Sequence, residues 1–249
     1  MARVYKRIFS NMYAPILLYH HVGNPRAGRF SVTLENFRAQ MQWLHDNGYQ
    51  PVSVDAIAAA LRGEGTLPAK PVAITFDDGW KNQLNNALPI LNEFGFKATF
   101  YIVGRWSNSN SPVLMNWREV QALQAQGHWV ASYSLSHKTE TRLRSAALWQ
   151  EIVGGRAMIA RAISQTTTYA YPSGAVNNLV EGLTRKAGYN AAVGVPSNCD
   201  QQINGICHMN RIEVRNGYSL AAFVGWLTCK PLPLPRQYTP SDNIGIRSQ

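Results

Sequence analysis

Two neighbouring carboxylates at the end of an apolar run are the first chemical signal in this chain: Ala73 Ile74 Thr75 Phe76 leads into Asp77 Asp78 Gly79 Trp80. The run is rich in β-branched and aromatic residues and reads as a strand, and the glycine lets the backbone turn sharply after the acids. Alternate strand residues face opposite ways, so adjacent aspartates at a strand end can take different tasks, one holding a metal ion and the other accepting a proton. A turn carrying two solvated acids is the other reading of Asp-Asp-Gly taken alone. A second chemically able pair, His20 and His21, closes the apolar run Ile16–Tyr19. An imidazole there either lines a site or packs against its neighbours.

The elements that must position these groups alternate along the chain. After the strand Ile16–Tyr19, Phe37, Met41 and Leu44 recur at helical spacing over 33–47, with Thr33 as N-cap and Gly48 as the stop. A brief strand at 52–54 and a short helix Val54–Leu61 follow. Beyond the two aspartates, Leu84, Leu88, Leu91 and Phe94 form the apolar stripe of a helix ending at Gly95. A strand at 98–103 and a helix Trp117–Ala125 come next, then a long helix over 143–163 broken at Gly154 and Gly155. The spacing then predicts a helix at 176–187, a strand at 190–195, a polar loop at 196–205 and an apolar helix Leu220–Leu227 that caps the core. Such alternation implies a parallel sheet with right-handed crossovers and the C-terminal ends of its strands on one face. With no repeat and no linker, the chain reads as a single domain over residues 1–249, its core about 14–229 and its Pro-rich tail 230–249.

Composition narrows the class. A chain of 249 residues that is 45% hydrophobic can bury a large core. Twenty-four Lys and Arg against 14 Asp and Glu give a formal charge of +10, which favours anionic surroundings such as the cell envelope. No Lys/Arg run interleaves with aromatics, which argues against nucleic acid. The three cysteines, Cys199, Cys207 and Cys229, fit neither a zinc-finger spacing nor a disulfide scaffold, and a Cys199 to Cys207 pairing stays open. No window approaches the ~20 continuous apolar residues of a membrane span. The basic start, residues 1–7, is followed by too short an apolar stretch for a signal peptide. The expected location is therefore periplasmic or cell-surface if a leader has been removed, and cytoplasmic otherwise.

The string Thr75 Phe76 Asp77 Asp78 Gly79 resembles the first motif of the polysaccharide deacetylases, the NodB-type carbohydrate esterases of family four. The likeness runs from about His20 to about Val214. Leu18 Tyr19 His20 His21 Val22 and the stretch 37–54 are most similar to the branch that deacetylates poly-β-1,6-N-acetylglucosamine in biofilms. The resemblance implies a distorted, incomplete (β/α) barrel in the α/β class. It implies Asp77 as catalytic base and Asp78 as a ligand to a divalent metal, zinc first and cobalt or nickel next.

The second motif falls in residues 127–137, and there the chain departs from the pattern. The family completes its metal triad with two histidines four apart; His137 matches the second, and Tyr133 stands in place of the first. A neutral imidazole binds zinc-like ions well, whereas a phenol with a reference pKa of about 10 must first lose its proton. Tyr133 is thus either a phenolate ligand or an aromatic ring filling an emptied ligand position. His128 is no substitute: five residues away on an extended strand, it faces the opposite side about 16 Å off. Tyr169 Ala170 Tyr171 Pro172 Ser173 Gly174 resembles the third motif, in which the backbone N–H of Ser173 would bind the oxyanion. A late general-acid histidine of the family has one counterpart, His208, in a context that does not match, and Arg211 corresponds to an arginine that would pair with an acid. The implied function is a metal-dependent hydrolase removing N-acetyl groups from an N-acetylglucosamine-containing polysaccharide, weakened by Tyr133. The alternative is an impaired deacetylase-like domain that binds glycan without turnover.

Overall fold

The computed structural model describes residues 14–164, 166–195 and 205–227. Parallel strands wind around one curled sheet: β1 (Ile16–Tyr19), β2 (Pro71–Phe76), β3 (Thr99–Ile102), β4 (Trp129–Ser132), β5 (Thr168–Ala170), β6 (Ala191–Val193) and β7 (Ile212–Glu213). Their spatial order is β7-β1-β2-β3-β4-β5-β6, and the short strand Gln50–Pro51 pairs beside the start of β2. Met209, just ahead of β7, makes a parallel bridge to Val193 of β6. The segment leading into β7 therefore touches both ends of the sheet and curls it toward closure. This is the distorted (β/α) barrel that the sequence implied.

Helices α1 (Leu34–Asp46), α2 (Val54–Leu61), α3 (Leu88–Glu93), α4 (Gly104–Ser107), α5 (Trp117–Ala125), α6 (Ser145–Ala162), α7 (Asn178–Lys186) and α8 (Leu220–Leu227) accompany the strands. Their starts are written locally. Thr33 accepts from the Asn36 N–H, and Asn116 and Glu119 cap each other's backbone at the head of α5. Strand side chains divide by parity. Leu17, Tyr19, Ile74, Phe76, Phe100 and Ile102 join Phe37, Met41 and Leu44 of α1 in the main core, which α8 covers with Phe223 and Leu227. The other series, Ile16, Ala73, Tyr101, Val103, Ala131 and Tyr133, packs on the inner face.

Three local expectations are corrected. The brief strand lies at Gln50–Pro51 and not at 52–54, because the Ser53 hydroxyl accepts from the Ala56 N–H and draws Val54 into α2. Leu84 lies in a π-type turn, Gln83–Ala87, ahead of α3. Pro89 lacks the N–H that a regular helix would need there, and the wider turn accommodates it. Helix α6 runs unbroken through Gly154 and Gly155. A Cβ on Gly155 would lie 2.6 Å from the Ser134 carbonyl carbon, so the glycine admits a close backbone approach instead of ending the helix.

Candidate active site

A cleft of about 580 Å³ opens over the C-terminal ends of the strands. Each strand delivers to it: His20 after β1, Asp78 and Trp80 after β2, Trp106 after β3, Tyr133 and His137 after β4, Ser173 after β5, Val195 after β6 and Arg215 after β7. This is where an α/β barrel carries its chemistry. The volume falls within the roughly 300–1,000 Å³ of small-molecule clefts.

Asp77 continues the inward series of Ala73 and Thr75 and is fully buried. Arg211, itself without solvent exposure, clamps it: Nη1 and Nη2 donate to the two carboxylate oxygens at 2.6 and 2.7 Å. The guanidinium also donates from Nε to the Gly194 carbonyl at 2.8 Å and lies 5.5 Å from the Tyr101 ring centroid. A buried charge pair held by a planar fork and further bonds fixes a carboxylate in one orientation. Asp77 does not line the cleft; it lies behind its wall.

Asp78, one residue on, has the opposite fate. Its φ of +77° turns it out of the strand, and its carboxylate accepts from Trp80 Nε1 at 2.8 Å while lying 3.6 Å from His137 Nε2. The adjacent aspartates thus occupy different environments, one inside the barrel and one in the cleft. Tyr133, 2% exposed, packs edge-on to the His137 ring, and its hydroxyl oxygen accepts from the Ser173 N–H at 3.3 Å. Burial raises the Tyr133 pKa well above the ordinary phenol value, and the nearby charges of Asp77 and Asp78 raise it further. The phenol is therefore held in its protonated form. Among the described residues no group of three His, Cys, Asp or Glu side chains is placed to hold a metal ion. Asp78 and His137 form a two-donor set, while a catalytic zinc ion commonly takes three protein ligands plus water. Among the described residues a complete triad is not present, and no replacement donor stands in for the missing histidine.

Backbone strain concentrates here. The non-glycine residues with positive φ among those described are Asp78, Ser134, His137 and Ser173. Three of them line the cleft, and the Ser134 hydroxyl accepts from the His137 N–H at 2.9 Å. Left-handed conformations of this kind persist where the surroundings over-determine them, and they gather at functional sites.

Of the remaining expected residues, His20 and His21 both line the cleft, the latter with Nδ1 2.8 Å from Asn82 Nδ2. His208 also reaches it, with Nδ1 3.5 Å from Glu181, and burial lowers its pKa against the opposing pull of Glu181. His128 is buried away from the site, where Nδ1 accepts from the Ala98 N–H and burial lowers its pKa to about 4. Cys207 is half-buried; Cys199, Cys229, the loop 196–204 and the tail lie outside the described residues.

Sequence reasoning missed the aromatic wall and the polar struts. Trp80 and Trp106 stand 5.9 Å apart, and Trp106 stacks on His137 at 5.3 Å. Gln83 Nε2 donates to the carbonyls of His20 and Asp77 at 2.7 and 2.6 Å, joining the ends of β1 and β2. Four amides, Asn82, Gln83, Asn85 and Asn86, ahead of the apolar helical stripe were the available signal.

Comparison with known proteins agrees with this geometry. A family profile described as polysaccharide deacetylase matches residues 64–192. Over 214 residues the chain is 27% identical to YxkH of Bacillus subtilis (strain 168), covering 86% of this chain and 75% of that protein. Over 90 residues it is 41% identical to the poly-beta-1,6-N-acetyl-D-glucosamine N-deacetylase of Escherichia coli (strain K12), covering 35% of this chain and 13% of that longer protein. The Streptococcus pyogenes deacetylase PplD, solved in complex with acetate, superposes with a TM-score of 0.82 at 23% identity, covering 88% of this chain and 99% of that one. Members of the matched family generally depend on a metal ion. With the profile spanning half of the chain, this chain belongs to the polysaccharide deacetylase family.

Proposed function

We propose that this protein is a polysaccharide N-deacetylase of reduced power, acting on an N-acetylglucosamine-containing polymer that lies along the cleft. The observation that carries this reading is the buried pair of Asp77 and Arg211 beside the cleft residues Asp78 and His137, kept on strained backbone. A solvent-sealed ion pair is costly to retain without a use for the carboxylate.

In the proposed chemistry, water attacks the acetamide carbonyl carbon, the C–N bond breaks, and acetate and the free amine leave. Asp77 receives the proton of the attacking water, and Arg211 holds its carboxylate in one orientation. Ser173, whose N–H reaches the oxyanion through the Tyr133 hydroxyl, and His208, assigned to the leaving nitrogen, line the same cleft. Trp80 and Trp106 offer flat apolar surfaces to pyranose rings. Among the described residues the divalent ion expected from the resemblance finds two donors, Asp78 and His137, and no step is assigned to it. The E. coli and Staphylococcus aureus (strain N315) relatives named for poly-beta-1,6-N-acetyl-D-glucosamine support a β-1,6-linked polymer as the first substrate to offer.

A second reading, glycan binding without turnover, is favoured by Tyr133 alone, because its hydroxyl engages the Ser173 N–H. Acetate release from a β-1,6-linked N-acetylglucosamine oligosaccharide separates the two. The first reading expects slow release that Asp77→Asn abolishes. Absence of release from the unaltered protein, with oligosaccharide binding retained, contradicts it and leaves the second.

A further inference from the structure

We propose that the Tyr133 hydroxyl is the hydrogen-bond donor that grips the carbonyl oxygen of the substrate's acetamide group, a task that needs no cation. The proposal rests on the glycan reading above and assigns the part of the cleft that recognises the N-acetyl group.

The argument is one of donors and acceptors. A phenol carries one proton to give and lone pairs to accept with. The Tyr133 oxygen already accepts from the Ser173 N–H at 3.3 Å, and among the described residues no acceptor is engaged by its own proton. Both residues line the cleft. The open direction for that proton is therefore the cleft itself, between His137 and Ser173. A buried hydroxyl with an uncommitted proton is unfavourable unless a ligand or water takes it up.

Geometry fixes the direction of the bond. Tyr133 continues the inward parity of Ala131 on β4, and its ring is packed edge-on at 4.8 Å from the His137 centroid, so the hydroxyl has little room to wander. The positive φ of Ser173, +57°, presents its N–H to the phenol. The result is a relay, Ser173 N–H to Tyr133 O–H to carbonyl oxygen, in which each bond polarises the next. The backbone donor expected to meet the oxyanion thus acts through a side chain one bond further into the cleft. A neutral donor suits an acetamide, whose carbonyl is a good acceptor. It gives no such bond to a protonated amine, which has no lone pair to accept with.

The experiment is a calorimetric titration of the full chain, with chelator present throughout, using a β-1,6-linked N-acetylglucosamine oligosaccharide and its fully deacetylated counterpart. The unaltered protein is expected to bind the acetylated probe more tightly. Tyr133→Phe, which keeps the ring and removes only the donor, is expected to weaken that probe roughly three- to tenfold and to leave the deacetylated probe unchanged. Equal affinity of the unaltered protein for the two probes overturns the proposal without any variant, so a Tyr133→Phe protein that fails to fold does not shelter it. Unchanged affinity of Tyr133→Phe for the acetylated probe overturns it as well, while leaving the glycan reading standing. Failure of the unaltered protein to bind either probe overturns both.

Discussion

Removing the Arg211 side chain should destabilise the fold far more than an average substitution. Arg211→Met keeps most of the apolar length but deletes two carboxylate bonds of 2.6 and 2.7 Å and the bond to the Gly194 carbonyl. It leaves the Asp77 carboxylate, its side chain 1% exposed, without its counter-charge. Breaking a buried pair from one side costs about 3–5 kcal/mol, mostly as the penalty on the stranded partner. For a chain of this size each kcal/mol shifts the melting temperature by roughly 2–4 °C, so a fall of about 6–20 °C is expected. Urea denaturation of Arg211→Met, Asp77→Asn and the double variant completes a cycle. The double variant should recover part of the loss, because the stranded charge is gone, giving a coupling energy above about 2 kcal/mol. A loss below about 1 kcal/mol in Arg211→Met, the range of exposed pairs, with no coupling, would refute the description of this pair as a sealed strut under the cleft.

Three further predictions concern Glu140, Gly155 and Gly182. Glu140 is fully buried, accepts a hydrogen bond from the Tyr169 hydroxyl, and is pushed by burial from 4.5 up to about 8. Between those values the unfolded chain releases a proton that the folded chain keeps, so stability falls as pH rises from about 4.5 to about 8 and levels off above; urea midpoints across this window should slope downward in the unaltered protein and flatten in Glu140→Gln. Gly155→Ala puts a Cβ 2.6 Å from the Ser134 carbonyl carbon and 2.9 Å from Leu135 N, and should destabilise by about 1–3 kcal/mol. Gly182→Ala, on α7 with nothing within 4 Å, should instead stabilise by up to about 1 kcal/mol, and the pair of melting curves checks both signs.

Much of the scaffold was legible because its signals are local. Alternating apolar runs and caps such as Thr33 and Asn116 specify strands and helices within a few residues of themselves. The Asp-Asp-Gly lip, His137 and the substitution at Tyr133 were also readable, as departures or agreements at fixed motif positions. What failed to show was long-range. Arg211 meets Asp77 across 134 residues, and Tyr133 meets Ser173 across 40; the resemblance gave Arg211 an acid to pair with but not which one, and no local pattern announces either bond. Gly155 was misread for the same reason: its purpose is the Ser134 backbone, which only the folded chain brings against α6. His208 reaches the cleft although its flanking residues gave little sign of it, because the bridge of Met209 to β6 fixes where that segment lies.

The central claim is that Tyr133 fills the place of a third metal donor and leaves Asp78 and His137 as an incomplete pair. The most direct test is zinc titration by calorimetry of the unaltered protein beside Tyr133→His. Loss of even an outer-shell partner weakens metal binding by about 10–100-fold, so restoring a ligand should tighten it by at least that factor. The account predicts weak, sub-stoichiometric zinc in the unaltered protein and tight, one-to-one zinc in Tyr133→His. Tight one-to-one zinc in the unaltered protein, lost on Asp78→Ala, would contradict it.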